Sequence, residues 1–274
     1  MNLNLYSDSL RIEINELSSN LKDYKIIDVR SKEQFELAHI EGSINLYSNL
    51  TYNNKTADGK ITEPNKMQRI IRNLGLNVDD KIVIYDDGTF FDASRVFWTL
   101  EVYGFKDVKL LNGGFEFWED SGYQVSQEIT TVTKSNYIAT LNNKRLSTKF
   151  STQIATRNKS NIILDARTHE SYNGNKSIAK RFGHIPKAIN IPAVYNINKN
   201  QFKSKLKDIS ELRNIYKDVE KDKKIVIYCS IGRVAATNYF ALRELGYNVA
   251  NYDASWKEWG NDSNLPIINL SKKN

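Results

Sequence analysis

Four short motifs occur in this chain and then recur, in the same order, about 140 residues further on. The first set is KIIDVR at 25–30, HIEGSIN at 39–45, KIVIYDD at 81–87 and YGFKDVKLLNGGFEFW at 103–118. The second is NIILDAR at 161–167, HIPKAIN at 184–190, KKIVIYCS at 223–230 and LGYNVANYDASWKEW at 245–259. Solenoid and propeller repeats have periods of roughly 20–50 residues, so this period marks a duplicated domain instead. The 274-residue length has room for two domains of ordinary size.

Within each copy the elements alternate. IIDV and IILDA are short apolar runs ended by an Asp-x-Arg turn, and KIVIYD and KIVIYC are apolar runs flanked by charge; all four predict buried strands. The segments after them, DASRVFWTLEVYG and AATNYFALRELG, carry apolar residues at helical spacing and end in a glycine suited to a C-cap. DVKLL and NVANYD are further short strands running into an aromatic turn. Strands alternating with helices predict an α/β fold: two tandem domains, each a mostly parallel sheet flanked by helices. Residues 1–125 form the first domain and 148–274 the second. Residues 126–147 match neither copy, are rich in Thr, Ser and Asn, and predict a connector with a strand-like part at Tyr137–Leu141.

Hydrophobic residues at 40% and charged residues at 26% describe a chain able to build two cores. One cysteine cannot form an internal disulfide, and three histidines cannot supply a zinc cluster, so a reducing, cytoplasmic setting with no metal is expected. The N-terminal run MNLNLYSDSLRIE lacks the basic start and long apolar core of a signal peptide, and no stretch is apolar enough to span a membrane. The net charge of +7 comes from lysines scattered among acids, as where Asp222 interrupts Lys221, Lys223 and Lys224. It reads as solubility and not as a nucleic-acid footprint, though a positive field helps to attract a small anion.

The lone cysteine, Cys229, comes after the strand KIVIY and precedes SIGRV, with a helix expected from Ala235. Ligands of open α/β sheets bind beyond the carboxyl ends of the strands. Gly232 permits a turn that a Cβ would resist, and successive loop amides together with a helix N-terminus can cradle an anion. Arg233 adds positive charge. A thiolate in such a cradle can attack an electrophilic sulfur. Free cysteines are also among the residues most often buried inertly, so position alone leaves both readings open.

The ordered motifs, with GHIPKAINIP at 183–192, YCSIGR at 228–233 and LGYNVANYDASWKEWGN at 245–261, resemble the two-domain rhodaneses over nearly the whole chain outside the connector. These comprise the thiosulfate and 3-mercaptopyruvate sulfurtransferases. The resemblance implies that Cys229 cycles between thiol and persulfide, and that the loop Ser230, Ile231, Gly232, Arg233, Val234 binds substrate together with Arg167. It implies no cofactor, a small anionic sulfur donor, a thiol or cyanide acceptor, and a thioredoxin-like reductant as a partner. Aligning KIVIYD on KIVIYC puts Asp86 where Cys229 stands. An aspartate cannot carry sulfur, so the first domain is expected to be silent and Asp86 an ordinary loop carboxylate.

The loop departs from the family pattern. Rhodanese loops read C-x-x-G-x-R or C-x-x-G-x-T; here the sixth position is Val234 and the arginine falls one residue early. Where a second arginine often comes after the Asp-x-Arg turn, this chain has Ser171. The related cysteine phosphatases need C-x5-R, which is excluded because residue 235 is Ala235. The surrounding motifs favour thiosulfate as donor, with 3-mercaptopyruvate as the alternative and a non-catalytic sulfur-carrier or partner-binding module as a third reading. Asp165 and Arg167 predict a pair that fixes the loop, since Asp28 and Arg30 match them in the first copy. By the same match with His39, His184 predicts a turn-stabilising hydrogen bond; Trp256 is expected to pack near the Cys229 loop.

Overall fold

A computed structural model describes residues 9–55, 58–199 and 204–271. The first eight residues of the N-terminal run, MNLNLYSD, lie outside them. The chain divides into two compact units, one of Met1–Leu50, Pro64–Leu141 and Asn198–Leu206, the other of Thr51–Glu63, Asn142–Ile197 and Lys207–Asn274. Each repeat therefore lends a short segment to the other's unit.

The first unit holds β1 (Arg11–Glu13), β2 (Lys25–Asp28), β3 (Ile44–Asn45), β4 (Ile82–Tyr85) and β5 (Val108–Asn112). They form one sheet in the order β1-β5-β4-β2-β3, with every pairing parallel. The second unit holds β6 (Leu146–Ser147), β7 (Asn161–Asp165), β8 (Ile189–Asn190), β9 (Lys224–Tyr228) and β10 (Val249–Tyr252). Their order, β6-β10-β9-β7-β8, repeats the first, again all parallel. The α/β fold predicted from the repeat is the one observed. Central strands read as continuous apolar runs because both faces are covered: Ile82 to Tyr85 and Ile225 to Tyr228 are all buried. Each fully buried aliphatic side chain contributes roughly 1.5–3 kcal/mol.

Helix α1 (Pro64–Asn73) meets the connector, and four helices flank the Cys229 loop and its counterpart: α2 (Phe91–Val102), α3 (Gly114–Asp120), α4 (Ala235–Glu244) and α5 (Ser255–Trp259). α2 and α4 are the expected helices, buried along most of their length, and the chain leaves them through Gly104 and Gly246 at φ of 91° and 80°. On the opposite side of each sheet, Trp118 in α3 and Trp259 in α5 anchor matching clusters, with Leu111 and Phe115 in one and Tyr252 and Trp256 in the other.

The connector corrects one expectation. Residues 137–141 form no strand; Tyr137 is buried instead, and its hydroxyl donates to Tyr103 O at 2.7 Å. Side chains of α1 meet the backbone here in place of a ladder: Arg72 Nε donates to Tyr137 O at 2.7 Å, and Ala139 N–H donates to Gln68 Oε1 at 2.9 Å. Alternation in the sequence suggests a sheet edge, but among the described residues no strand pairs with this segment. Among the described residues no helix is long and apolar enough to cross a membrane.

Candidate active site

Cys229 is the first residue beyond β9, the central strand of the second sheet. Only 1% of it is exposed. Its N–H donates to Ser255 Oγ at 3.1 Å, and its carbonyl accepts the Trp256 N–H at 3.0 Å. The next carbonyl, Ser230 O, accepts the Lys257 N–H at 3.0 Å. Two successive carbonyls are thus turned toward α5. Gly232 then takes a φ of 69°, as its lack of a Cβ allows, and its carbonyl accepts Asn251 Nδ2 at 3.1 Å. Val234 leads directly into α4. With the carbonyls turned away, the N–H groups of Ser230, Ile231, Val234 and Ala235 donate to no other described residue.

The first repeat spends such amides differently. Asp86 comes after β4 as Cys229 comes after β9, and its carbonyl accepts the Phe115 N–H at 2.8 Å. Its carboxylate takes the N–H of Gly88 at 2.9 Å and of Phe90 at 3.1 Å on Oδ1, and that of Ala93 at 3.2 Å on Oδ2. Ala93 and Ala235 are equivalent when α2 and α4 are aligned on Gly104 and Gly246. Asp86 is therefore no ordinary loop carboxylate: it is buried and fills the turn from within. Burial first, then the charge of Asp87, pushes its pKa up to about 6. A cavity of about 170 Å³ beside it is lined by Asp86, Asp87 and Asp92 as well as Arg30, a setting hostile to an anion.

The expected Asp165–Arg167 pair is present and buried. Asp165 Oδ1 accepts the Arg167 N–H at 2.9 Å and Nε at 3.0 Å, while Oδ2 accepts Nη2 at 2.6 Å. Nη2 also donates to Gly183 O at 2.8 Å, and the guanidinium lies 4.5 Å from the centre of the Trp256 ring. Tyr228 completes the group: its hydroxyl donates to Asp165 Oδ2 at 2.6 Å and accepts the Ile185 N–H at 3.1 Å. Burial, reinforced by Asp165, raises the Tyr228 pKa well above its ordinary value, so the hydroxyl keeps its proton. The first repeat copies the pair, with Arg30 Nη2 donating to Asp28 Oδ2 at 2.6 Å and the guanidinium 3.7 Å from the Phe115 ring centre.

His184 donates through Nδ1 to Tyr172 O at 2.8 Å and stacks on the Tyr172 ring at 3.8 Å. Burial lowers its pKa, keeping it neutral. His39 makes the same bond to Phe35 O at 2.7 Å and stacks on Phe35 at 3.9 Å. The structure thus brings Trp256 to the Cys229 loop through its backbone and joins it to Arg167 through its ring.

Three contributors carry no signature in the motifs. Ser255 binds the Cys229 amide, and Asn251 binds Gly232. The third, Gly59, comes from the first repeat: at φ of 66° it packs so close that a Cβ there would lie 2.9 Å from Ile231 Cβ. The same segment gives the Ile61 N–H to Asp253 Oδ2 at 2.5 Å and pairs Lys60 with Glu258 at 3.1 Å. Only the matched position of Gly114, which Ser255 replaces, carries a hint in the sequence.

The sequence model of the family described as rhodanese-like domain matches twice, over residues 13–121 and 149–262. A Haloferax volcanii protein provisionally named thiosulfate sulfurtransferase is 29% identical over 273 residues, covering 95% of this chain and 94% of its own. The 3-mercaptopyruvate sulfurtransferase of Escherichia coli K12 is 29% identical over 213 residues, 76% of this chain and 74% of that one. The crystal structure of SseA from Escherichia coli, described as having the rhodanese fold of 3-mercaptopyruvate sulfotransferases, superposes with a TM-score of 0.80 at 25% identity. That match covers 90% of this chain and 99% of the other.

Proposed function

The chain belongs to the rhodanese family of sulfurtransferases, and we propose that it moves sulfane sulfur from thiosulfate through a persulfide on Cys229. The contrast between the two equivalent loops carries this reading. Where Asp86 satisfies its own surrounding amides, Cys229 leaves those of Ser230, Ile231, Val234 and Ala235 without a partner among the described residues. Such amides at a helix N-terminus suit a thiolate and the anion it attacks.

The Cys229 thiolate attacks the outer sulfur of thiosulfate. A new S–S bond forms, the S–S bond of the donor breaks, and sulfite leaves with the electron pair. Cyanide or a cellular thiol then takes the outer sulfur and returns the thiolate. A thioredoxin-like reductant is one such acceptor. Ser230, Ile231, Gly232, Arg233 and Val234 form the cradle, and Arg233 adds charge to it. Asp165, Arg167, His184 and Trp256 hold the cradle in place through hydrogen bonds to one another and to neighbouring side chains and backbone. Asp86 keeps the first repeat silent.

The rival donor is 3-mercaptopyruvate, by the same covalent step with pyruvate as leaving product; the Escherichia coli relatives favour it. Specificity constants measured with both donors on the pure protein decide between them. A higher kcat/KM for thiosulfate supports the proposal, and a higher one for 3-mercaptopyruvate replaces it.

A further inference from the structure

We propose that Ser255 and Asn251 are positioning residues that clamp the Cys229 loop at its two ends, an inference that rests on Cys229 as the nucleophile. The first clamp is the hydrogen bond from Cys229 N–H to Ser255 Oγ at 3.1 Å, with the same hydroxyl donating to Tyr252 O at 2.7 Å. The second is Asn251 Nδ2 on Gly232 O at 3.1 Å. Between them the loop runs from Cys229 to Gly232, so its first amide and last carbonyl are both held by side chains from β10 and the start of α5.

Two observations set these residues apart from ordinary core polar groups. Ser255 is fully buried at a φ of 55°, a left-handed conformation that side chains with a Cβ rarely adopt. Its counterpart in the first repeat is Gly114, at φ of 67°, which avoids the strain and makes no such bond. Asn251 is fully buried in the middle of the sheet, and its Oδ1 has no hydrogen-bond partner among the described residues. The strand registers pair Ile227 with Asn251 and Ile84 with Leu110, so the first repeat places leucine where the second buries an amide. In the repeat without a cysteine both positions take the residue that backbone and core prefer. In the repeat with it, both accept a cost and gain one bond to the loop.

The clamps give the loop amides a fixed direction. With Cys229 N–H turned to Ser255 and Gly232 O to Asn251, the amides of Ser230 and Ile231 are left to face the thiolate and the developing persulfide. Loss of either clamp lets the loop drift and weakens the cradle while the fold remains.

The test uses the full chain carrying Ser255→Gly, Ser255→Ala or Asn251→Leu. Three readouts are compared with the wild type: sulfur loading at saturating thiosulfate, tracked by intact mass; alkylation of Cys229 by iodoacetamide at one fixed pH; and thermal unfolding. Because the chain has a single cysteine, alkylation reports on Cys229 alone. Ser255→Gly is the decisive variant, since glycine relieves the strained φ and keeps the fold at least as stable. The expected result is loading and alkylation slowed about tenfold, the scale of one lost hydrogen bond, in a protein that melts no lower than wild type. Ser255→Ala and Asn251→Leu are expected to slow both reactions similarly. Wild-type loading and alkylation rates in Ser255→Gly would overturn the inference. A wild type that loads no sulfur from either donor would instead sink the proposed function, while the alkylation comparison would still decide whether the clamps act on Cys229.

Discussion

Asp86 and Cys229 stand at the same backbone position in the two repeats. The amide of an equivalent aromatic holds each carbonyl: Phe115 N–H on Asp86 O at 2.8 Å, Trp256 N–H on Cys229 O at 3.0 Å. What differs is the side chain and the amides around it. In one copy a carboxylate saturates the turn; in the other the turn is left able to receive charge. The same scaffold thus closes on a carboxylate in one copy and, in the proposed function, on a reactive thiolate in the other.

Asp86 should make the first unit's stability pH-dependent. Its pKa is raised to about 6 in the folded chain, chiefly by burial, from an ordinary value of 3.8. Folding therefore favours the protonated form. The stabilisation is complete below the unfolded pKa and is lost as pH rises to about 6, a total of about 3 kcal/mol. Urea unfolding of wild type and Asp86→Ala between about pH 4 and 7 measures it. The wild type should lose that advantage over the variant as pH rises; an advantage independent of pH would refute the assignment.

Removing Arg167 leaves the Asp165 carboxylate buried with no guanidinium beside it. Arg167→Met should lower stability by roughly 3–5 kcal/mol. Arg167→Lys should recover only part of this, because an ammonium cannot make the two parallel bonds to Asp165 and stacks poorly on Trp256. Arg30→Met, which strips the matching pair in the first unit, should cost a similar amount. Chemical denaturation of the three variants provides the comparison.

Gly59 lies in the first repeat yet packs on Ile231 in the Cys229 loop. Gly59→Ala forces a side chain into a left-handed φ of 66° and against Ile231 Cβ. A loss of about 1–2 kcal/mol in stability is expected, together with slower sulfur loading. Gly122→Ala is the control: its φ is 77°, but nothing lies within 4 Å of the added Cβ. That variant should suffer the backbone cost and load sulfur at the wild-type rate. Equal loading rates in both variants would deny Gly59 any part in shaping the loop.

The duplication was legible because buried parallel strands must be written as apolar runs, and KIVIY and IILD state their burial directly. The Asp165–Arg167 pair could be read because Asp28–Arg30 repeats it without a cysteine nearby, which separates fold from chemistry. The full burial of Cys229 could not be read, since it depends on α5 folding over the strand end. Nor could the transfer of residues 51–63 to the second unit, because a segment's polar sequence does not say which core it lies against. Asp86 is hard to read for a related reason: a carboxylate after a strand looks solvated until the turn closes on it with three amides. Ser255 and Asn251 stay hidden because each meets the Cys229 loop through one bond to its backbone, and a backbone partner leaves no trace in a motif.

The most direct test of Cys229 as the sulfur carrier is the intact mass of the protein after brief exposure to thiosulfate and removal of excess donor. The wild type should gain one sulfur atom, about 32 Da, and lose it again when cyanide is added. Cys229→Ser should keep its fold and gain nothing. A wild type whose mass never changes with thiosulfate, or a Cys229→Ser variant that still turns over, would contradict the central claim that Cys229 carries the sulfur.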